Sequence, residues 1–134
     1  MLRGLRIALL LLACIVAIAR PCCAFGLRGT GVVFLHGKGV FVGAFDGGIP
    51  GALEAEGALV ASPEMPWSFK RLYGATFEAA MLEIDTAVAG LKAKGAAGIV
   101  VIVHSLGANA AIAYAARRSG VAAVVALAPG HLPD

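Results

Sequence analysis

Cysteine is almost missing from this chain of 134 residues, and its three cysteines lie near the N-terminus, at positions 14, 22 and 23. Residues 25 to 134 therefore hold no thiol, which excludes a disulfide framework and a thiol-based redox site from that part of the chain. The histidines, His36, His104 and His131, are far apart in the sequence and match no metal-ligand spacing. The sequence predicts no bound metal.

Charge is scarce and, after the N-terminal segment, balanced. Three of the eleven basic residues, Arg3, Arg6 and Arg20, lie within the first 24 positions, which leaves eight basic residues against eight acidic ones. The isoelectric point of about 9.0 therefore comes from the N-terminal segment. Because no basic stripe remains, we expect no nucleic-acid partner.

Nucleotide-binding motifs are also missing. The chain has no Gly-x-x-x-x-Gly-Lys-Ser/Thr sequence, which favours a solvated loop lysine over a phosphate ligand at Lys38. Gly37, Gly39 and Gly43 miss the Gly-x-Gly-x-x-Gly spacing of dinucleotide-binding loops by one residue. A Rossmann-like nucleotide binder is therefore disfavoured, and the sequence predicts no cofactor.

Apolar residues are abundant, at 60% of the chain with a mean hydropathy of +0.88. Part of this excess lies at the N-terminus, where Arg3 and Arg6 precede an uncharged run over residues 7–19 and small residues lead to Ala24. This pattern predicts a signal peptide over 1–24, cleaved near Ala24, and export of residues 25–134 to the periplasm or the medium. The run is shorter than the about 20 residues that span a bilayer. The alternative is an uncleaved leader, which would then be the chain's only contact with a membrane.

Residues 25–134 alternate between strand and helix patterns. Short apolar runs predict strands at 32–35, 59–61, 99–103 and 121–127, and those at 32–35, 99–103 and 121–127 are expected to be buried. Helices are predicted at 53–56, at 77–94 and at 106–118. In the second helix, Phe77 and Met81 start an apolar stripe that is assigned to the core. Strands separated by helices predict one α/β domain with a doubly wound, mostly parallel sheet and helices on both faces.

The most informative segment is Val103-His104-Ser105-Leu106-Gly107, where a serine lies directly between a buried strand and a helix. Such a turn raises the hydroxyl above the sheet edge and directs the following backbone amides at the same space, where they can stabilise an oxyanion. Small residues are needed two positions before and after the serine, because the strand and helix backbones come close there. Gly107 meets this requirement, whereas Val103 is expected to strain the turn.

This segment resembles the nucleophile elbow of the α/β-hydrolase fold family, which is usually Gly-x-Ser-x-Gly and often Gly-His-Ser-Leu-Gly. Two further segments agree with that family in order and spacing. His36-Gly37-Lys38-Gly39, after the first strand, is similar to its His-Gly oxyanion loop. Pro63-Glu64-Met65-Pro66-Trp67-Ser68, after the second, is similar to its Asp-Met-Pro-Gly stretch. The resemblance covers residues 31 to 129, so residues 25–134 are expected to form a partial α/β-hydrolase domain.

The resemblance implies a serine hydrolase that cleaves an ester, thioester or amide bond of a small molecule through an acyl-enzyme. Ser105 would be the nucleophile, and the backbone N–H groups of Lys38 and Leu106 would be the oxyanion donors. The other motif residues would support the site structurally: His36, Gly37, Gly39, His104 and Gly107. Trp67 and Phe69 are candidates either for an acyl pocket or for packing.

The same resemblance leaves the catalytic triad incomplete. By family topology the four strands would be the third to the sixth, whereas the family's acid and histidine follow later strands. We therefore expect a fragment that lacks both. His131 follows the last strand and is kept as a candidate base, while Asp134 is interpreted as a frayed end. The alternative function is a catalytically inactive hydrolase-fold binding protein, which Val103 and the missing histidine favour.

Overall fold

The structure is a computed structural model that describes residues 26–44 and 46–129. The predicted signal peptide, His131 and Asp134 lie outside the described residues. Within those residues, no helix is both long enough and apolar enough to cross a bilayer.

Strands and helices alternate along the described chain. The elements are β1 (Thr30–Leu35), α1 (Ile49–Ala55), β2 (Leu59–Ala61), α2 (Phe77–Ala93), β3 (Gly98–His104), α3 (Leu106–Arg117) and β4 (Ala123–Leu127). Each predicted element is present. The largest difference is at α1, which begins at Ile49 rather than at residue 53 because Pro50 lies in its first turn, where a missing N–H breaks no helical bond.

The strands form one parallel sheet in the order β2-β1-β3-β4. The chain moves from β1 to one side to form β2, and then crosses back to form β3 and β4 on the other side. Right-handed crossovers therefore place α1 on one face of the sheet and α2 and α3 on the opposite face. The hydroxyl of Tyr114 in α3 donates to Asp85 in α2 over 2.7 Å, as expected for neighbouring helices. The doubly wound α/β class is confirmed.

The core lies between the sheet and helices α2 and α3. Leu35 of β1 pairs with Val103 of β3, and both side chains are fully buried in this layer. Ile84 of α2 and Ala108 of α3 cover them from the helix side. Burying one such aliphatic side chain stabilises the fold by about 1.5–3 kcal/mol. The core therefore fixes the carboxyl ends of β1 and β3 side by side, where the motif residues follow.

Strand β4 differs from its prediction in burial. It was expected to be buried, yet Val125 is 42% exposed and Ala123 and Ala126 are exposed. Among the described residues β4 pairs only with β3, so it forms an edge of the sheet. The apolar composition of the run predicted the strand correctly, but burial depends on neighbours that composition does not reveal.

Candidate functional site

Ser105 occupies the junction between β3 and α3, with φ of 53° and ψ of −123°. Positive φ is rare for residues other than glycine and costs about 1–3 kcal/mol when the surroundings enforce it. Two backbone hydrogen bonds hold the turn. The N–H of Ser105 donates to the carbonyl oxygen of Leu127 over 3.0 Å, and its own carbonyl accepts from Ala108 over 2.9 Å. The serine is therefore held in a strained backbone conformation by both β4 and α3.

Gly107 allows the first turn of α3 to lie directly against the end of β1. A Cβ atom at this position would lie 2.9 Å from the carbonyl oxygen of His36 and 3.2 Å from that of Leu35. No side chain fits there without a backbone shift. The structure thus gives a steric reason for a small residue two positions after the serine.

Val103, two positions before the serine, lies in a regular part of β3. Its side chain is fully buried in the core layer, and its backbone pairs regularly with Leu35 and Ala126. The positive φ of this turn is at Ser105. The strain expected from the Val103 side chain stays a prediction, which the Val103→Gly variant tests.

The loop after β1 lies against the same turn. A Cβ atom added to Gly37 would lie 3.2 Å from Cβ of Ser105 and 3.2 Å from Nδ1 of His104. Gly39 has a φ of 65°, and its N–H donates to the carbonyl oxygen of Trp67 over 2.9 Å. Lys38, between these glycines, is exposed. The two segments that were predicted to supply the oxyanion donors therefore meet at one edge of the sheet.

Neither predicted oxyanion donor is used by the fold. Within residues 26–44 and 46–129, no hydrogen-bond acceptor is found for the backbone N–H of Lys38 or for that of Leu106. Leu106 is the first residue of α3, and the first N–H groups of a helix have no partner inside the helix. Within the described residues both amides therefore have no internal acceptor, which an oxyanion donor requires, and the positive end of the helix dipole lies at Leu106.

His36 joins the loop after β1 to the segment after β2. Its ring is 5% exposed, and Nε2 accepts a hydrogen bond from the N–H of Met65 over 3.0 Å. In the neutral ring the proton is then on Nδ1, which donates to the carbonyl oxygen of Gly37 over 2.8 Å. The carbonyl oxygen of His36 accepts from Nε1 of Trp67 over 2.8 Å. Both ring nitrogens are engaged, so His36 supports the loop and is not placed to act as a base for Ser105.

Glu64 adds a second link between these loops. Its Oε2 accepts from the N–H of Val42 over 3.2 Å and lies 3.6 Å from Nζ of Lys70. Burial alone would raise the pKa of the Glu64 carboxyl, but hydrogen bonds from Ser68 and Val42 and the charge of Lys70 outweigh it, so the pKa lies below its usual value. A carboxylate therefore fastens the loop that follows the oxyanion segment.

Arg71 is a residue of this region that the sequence analysis missed. Its guanidinium donates twice to the carboxylate of Glu83 in α2, over 2.6 and 2.8 Å, and once to the carbonyl oxygen of Glu64 over 2.6 Å. A bidentate pair of this kind fixes orientation as well as distance. No spacing in the sequence indicates it, because Arg71 lies in a loop without periodicity.

An apolar cavity of about 340 Å³ lies beside the first turn of α3, which begins at Leu106. Its lining includes Trp67, Tyr73, Ala75, Phe77, Leu106 and Ala110. Of the two aromatic candidates for an acyl pocket, Trp67 contributes to the lining, while Phe69 is 69% exposed and does not. The assignment of Phe77 to the core is corrected: Met81 is buried, but Phe77 is 41% exposed and forms part of the cavity wall.

The described residues do not supply a base for Ser105. Within 26–44 and 46–129, no hydrogen bond joins the Ser105 hydroxyl to a histidine ring. His104 is exposed at the end of β3, and His131 lies outside the described residues. The same part of the chain contains no group of three or more His, Cys, Asp or Glu side chains that could hold a metal ion.

Comparisons with known proteins do not identify this site. Comparison with protein-family models, with curated proteins and with solved structures finds no match to this chain.

Proposed function

We propose that this chain carries the nucleophile and the oxyanion donors of an exported serine hydrolase. The bond cleaved is an ester, thioester or amide of a small molecule, and the intermediate is an acyl-enzyme at Ser105. The observation that carries the proposal is the strained backbone of Ser105 at the junction of a buried strand and a helix. A strained serine at that junction is typical of a nucleophile elbow.

The chemistry follows from the two free amides. When the Ser105 hydroxyl oxygen bonds to the carbonyl carbon of the substrate, the serine proton passes to a general base and the carbonyl oxygen becomes negative. The N–H groups of Lys38 and Leu106 would donate to that oxygen. The leaving group then departs as an alcohol, thiol or amine, and water releases the acid from the serine. Loss of one oxyanion donor typically costs about 10²–10³ in kcat.

The general base is expected from outside the described residues. His36 uses both ring nitrogens within the loops, and His104 shows no hydrogen bond to Ser105. His131 remains the candidate within the sequence given, and the resemblance places the usual acid and histidine after later strands. Without a base, a serine hydroxyl is a weak nucleophile at neutral pH.

Covalent labelling with a fluorophosphonate tests the proposal. We expect the 134-residue chain to label weakly and the chain extended to the full reading frame to label at Ser105. Ser105→Ala should abolish the labelling, whereas Ser119→Ala, at an exposed serine after α3, should leave it unchanged. Strong labelling of the short chain would make His131 the first base to test by mutation. An extended chain that folds and does not label would contradict the proposal.

The second candidate is a catalytically inactive binding protein that keeps the hydrolase-type fold. The observation that favours it is the lack of a base beside Ser105 in the described part of the chain. The two candidates differ in turnover, since a binding protein would bind its ligand but would show no turnover in any extended form.

The proposed export has its own test. N-terminal sequencing of secreted material should begin close to Phe25. An intact Met1 on protein from the cytosol would contradict cleavage, and an intact Met1 on membrane-bound protein would support the uncleaved leader.

A further inference from the structure

The lining of the 340 Å³ cavity is mostly apolar and suits a hydrocarbon better than a charged ligand. No charged side chain contributes to it. The polar side chains of the lining are those of Thr76, Tyr73 and Asn109, and the Thr76 hydroxyl already accepts a hydrogen bond from the N–H of Ala79 as the cap of α2. A charged group would lose its hydration in this mostly apolar space, which costs several kilocalories per mole in general when no opposite charge compensates.

The cavity is joined to the proposed oxyanion site on two sides. Leu106, one of the two amide donors, is part of its wall. Trp67 forms another part of the wall. It is hydrogen-bonded to His36 and to Gly39, which lie before and after Lys38, the other donor, in the sequence. In addition, Nζ of Lys38 lies 5.8 Å from the centre of the Tyr73 ring, a third part of the wall. A chain in the cavity would therefore end beside Leu106, while Lys38 lies outside the lining on the loop that Trp67 holds.

Small side chains create the space. Ala75, Ala80 and Ala110 line the cavity, and three aromatic rings complete it: Trp67, Tyr73 and Phe77. One water molecule takes up about 30 Å³ in the liquid, and a methylene group is of similar size, so the cavity of about 340 Å³ has room for a chain of at most about eleven carbon atoms.

We infer that this cavity binds the linear aliphatic chain of a medium-chain acyl ester or thioester, with the acyl carbonyl at the Lys38 and Leu106 amides. The inference rests on the function proposed for Ser105, and it adds the substrate class. The aliphatic chain supplies affinity through its apolar surface, while the amides orient the carbonyl that Ser105 attacks.

Alkyl binding can be measured without any catalytic turnover. Trp67 is the single tryptophan of the chain and a wall of the cavity, so its fluorescence reports occupancy. Purified protein is titrated with butanol, hexanol, octanol and decanol. We expect Kd to fall about fourfold for each added methylene group until the chain fills the cavity. Affinity that does not depend on chain length would overturn the inference.

Three variants locate the binding. Ala75→Leu fills the cavity and should weaken octanol binding by about tenfold or more, because it takes up the space of several carbon atoms. Phe77→Ala removes one wall and should weaken it severalfold, which provides a second variant if the first fails to fold. Phe69→Ala is the matched control, since this aromatic residue is 69% exposed and lies outside the lining. An equal loss in Phe69→Ala and in Ala75→Leu would overturn the inference.

The two proposals fail in different ways. Length-dependent alkanol binding with no fluorophosphonate labelling of the extended chain would support the alkyl site and contradict the hydrolase. Labelling at Ser105 without length-dependent binding would support the hydrolase and overturn the medium-chain substrate class. With both results positive, hydrolysis of octanoyl esters by the extended chain should exceed hydrolysis of acetyl esters, and Ala75→Leu should reverse this preference.

Discussion

The α-carbon of Gly107 faces the carbonyl oxygen of His36 so closely that a Cβ atom there would lie 2.9 Å from that oxygen. This contact joins the first turn of α3 to the end of β1. It therefore sets the distance between Ser105, just before α3, and the Lys38 amide, just after β1. The proposed reaction needs both groups at one carbonyl, so its geometry depends on a glycine that takes no chemical part.

Gly107→Ala is expected to destabilise the fold by about 1–3 kcal/mol, because overpacking at a rigid backbone contact forces atoms apart. Gly90→Ala is the matched control. Gly90 lies in the exposed face of α2 with no atom within 4 Å of an added Cβ, so alanine should be neutral or stabilise by up to about 1 kcal/mol. Urea denaturation of both variants gives the two changes. Equal stability of Gly107→Ala and the parent protein would show that the contact is not tight.

Val103→Gly is expected to destabilise the protein by about 2–4 kcal/mol. The side chain is fully buried between β1, β3 and the helices, so its removal leaves a cavity, and glycine adds a backbone entropy cost within a strand. The sequence alone had suggested the opposite, that glycine would relieve strain at the elbow. Thermal melts decide between the two, and a higher Tm for the glycine variant would support the strain interpretation.

Val103 shows which features of this site can be predicted from neighbouring residues and which cannot. The β-branched run at 99–103 predicted the strand, and a serine between strand and helix predicted the elbow, because both are properties of adjacent residues. The direction in which Val103 points depends on its pairing with Leu35 and Ala126, which are distant in sequence. The steric need for Gly107 could be predicted, since the turn geometry itself demands it.

Most walls of the cavity could not be predicted from the sequence. Tyr73 has a φ of 58° in a segment without periodicity, so nothing in the spacing indicates that it lines the cavity. Phe77 and Met81 share one helical face, yet only Met81 is covered, because Phe77 is at the end of the helix where the cavity opens. Trp67 could be named as a candidate wall because it lies within a motif segment, residues 63–68.

Alkaline pH should weaken the contact between α2 and α3. Burial, followed by the hydrogen bond to Asp85, raises the pKa of the Tyr114 hydroxyl to about 12 from 10.0. The folded state thus holds the proton more tightly than the unfolded state. The stabilisation is fully present below pH 10.0 and is lost as the pH rises towards about 12.

We expect the free energy of unfolding to fall across this range in the parent protein and to fall less in Tyr114→Phe. Urea denaturation at several alkaline pH values provides the comparison, with Tyr73→Phe as the control at an exposed tyrosine.

The backbone strain at Ser105 can be tested by stability measurements, without a substrate. With φ of 53° and ψ of −123°, the position suits glycine, which carries no Cβ penalty there. Ser105→Gly and Ser105→Ala both remove the hydroxyl, and they differ in the Cβ atom alone. We therefore expect the glycine variant to be more stable than the alanine variant by about 1–2 kcal/mol.

Ser119, an exposed serine without positive φ, provides the matched pair. There, glycine should be less stable than alanine or equal to it, by up to about 1 kcal/mol. If alanine were the more stable residue at both positions, Ser105 would not be strained, and the main support for a nucleophile elbow would be lost. If glycine stabilises at position 105 alone, the chain keeps a serine where another residue would fold better, which is typical of a residue retained for function.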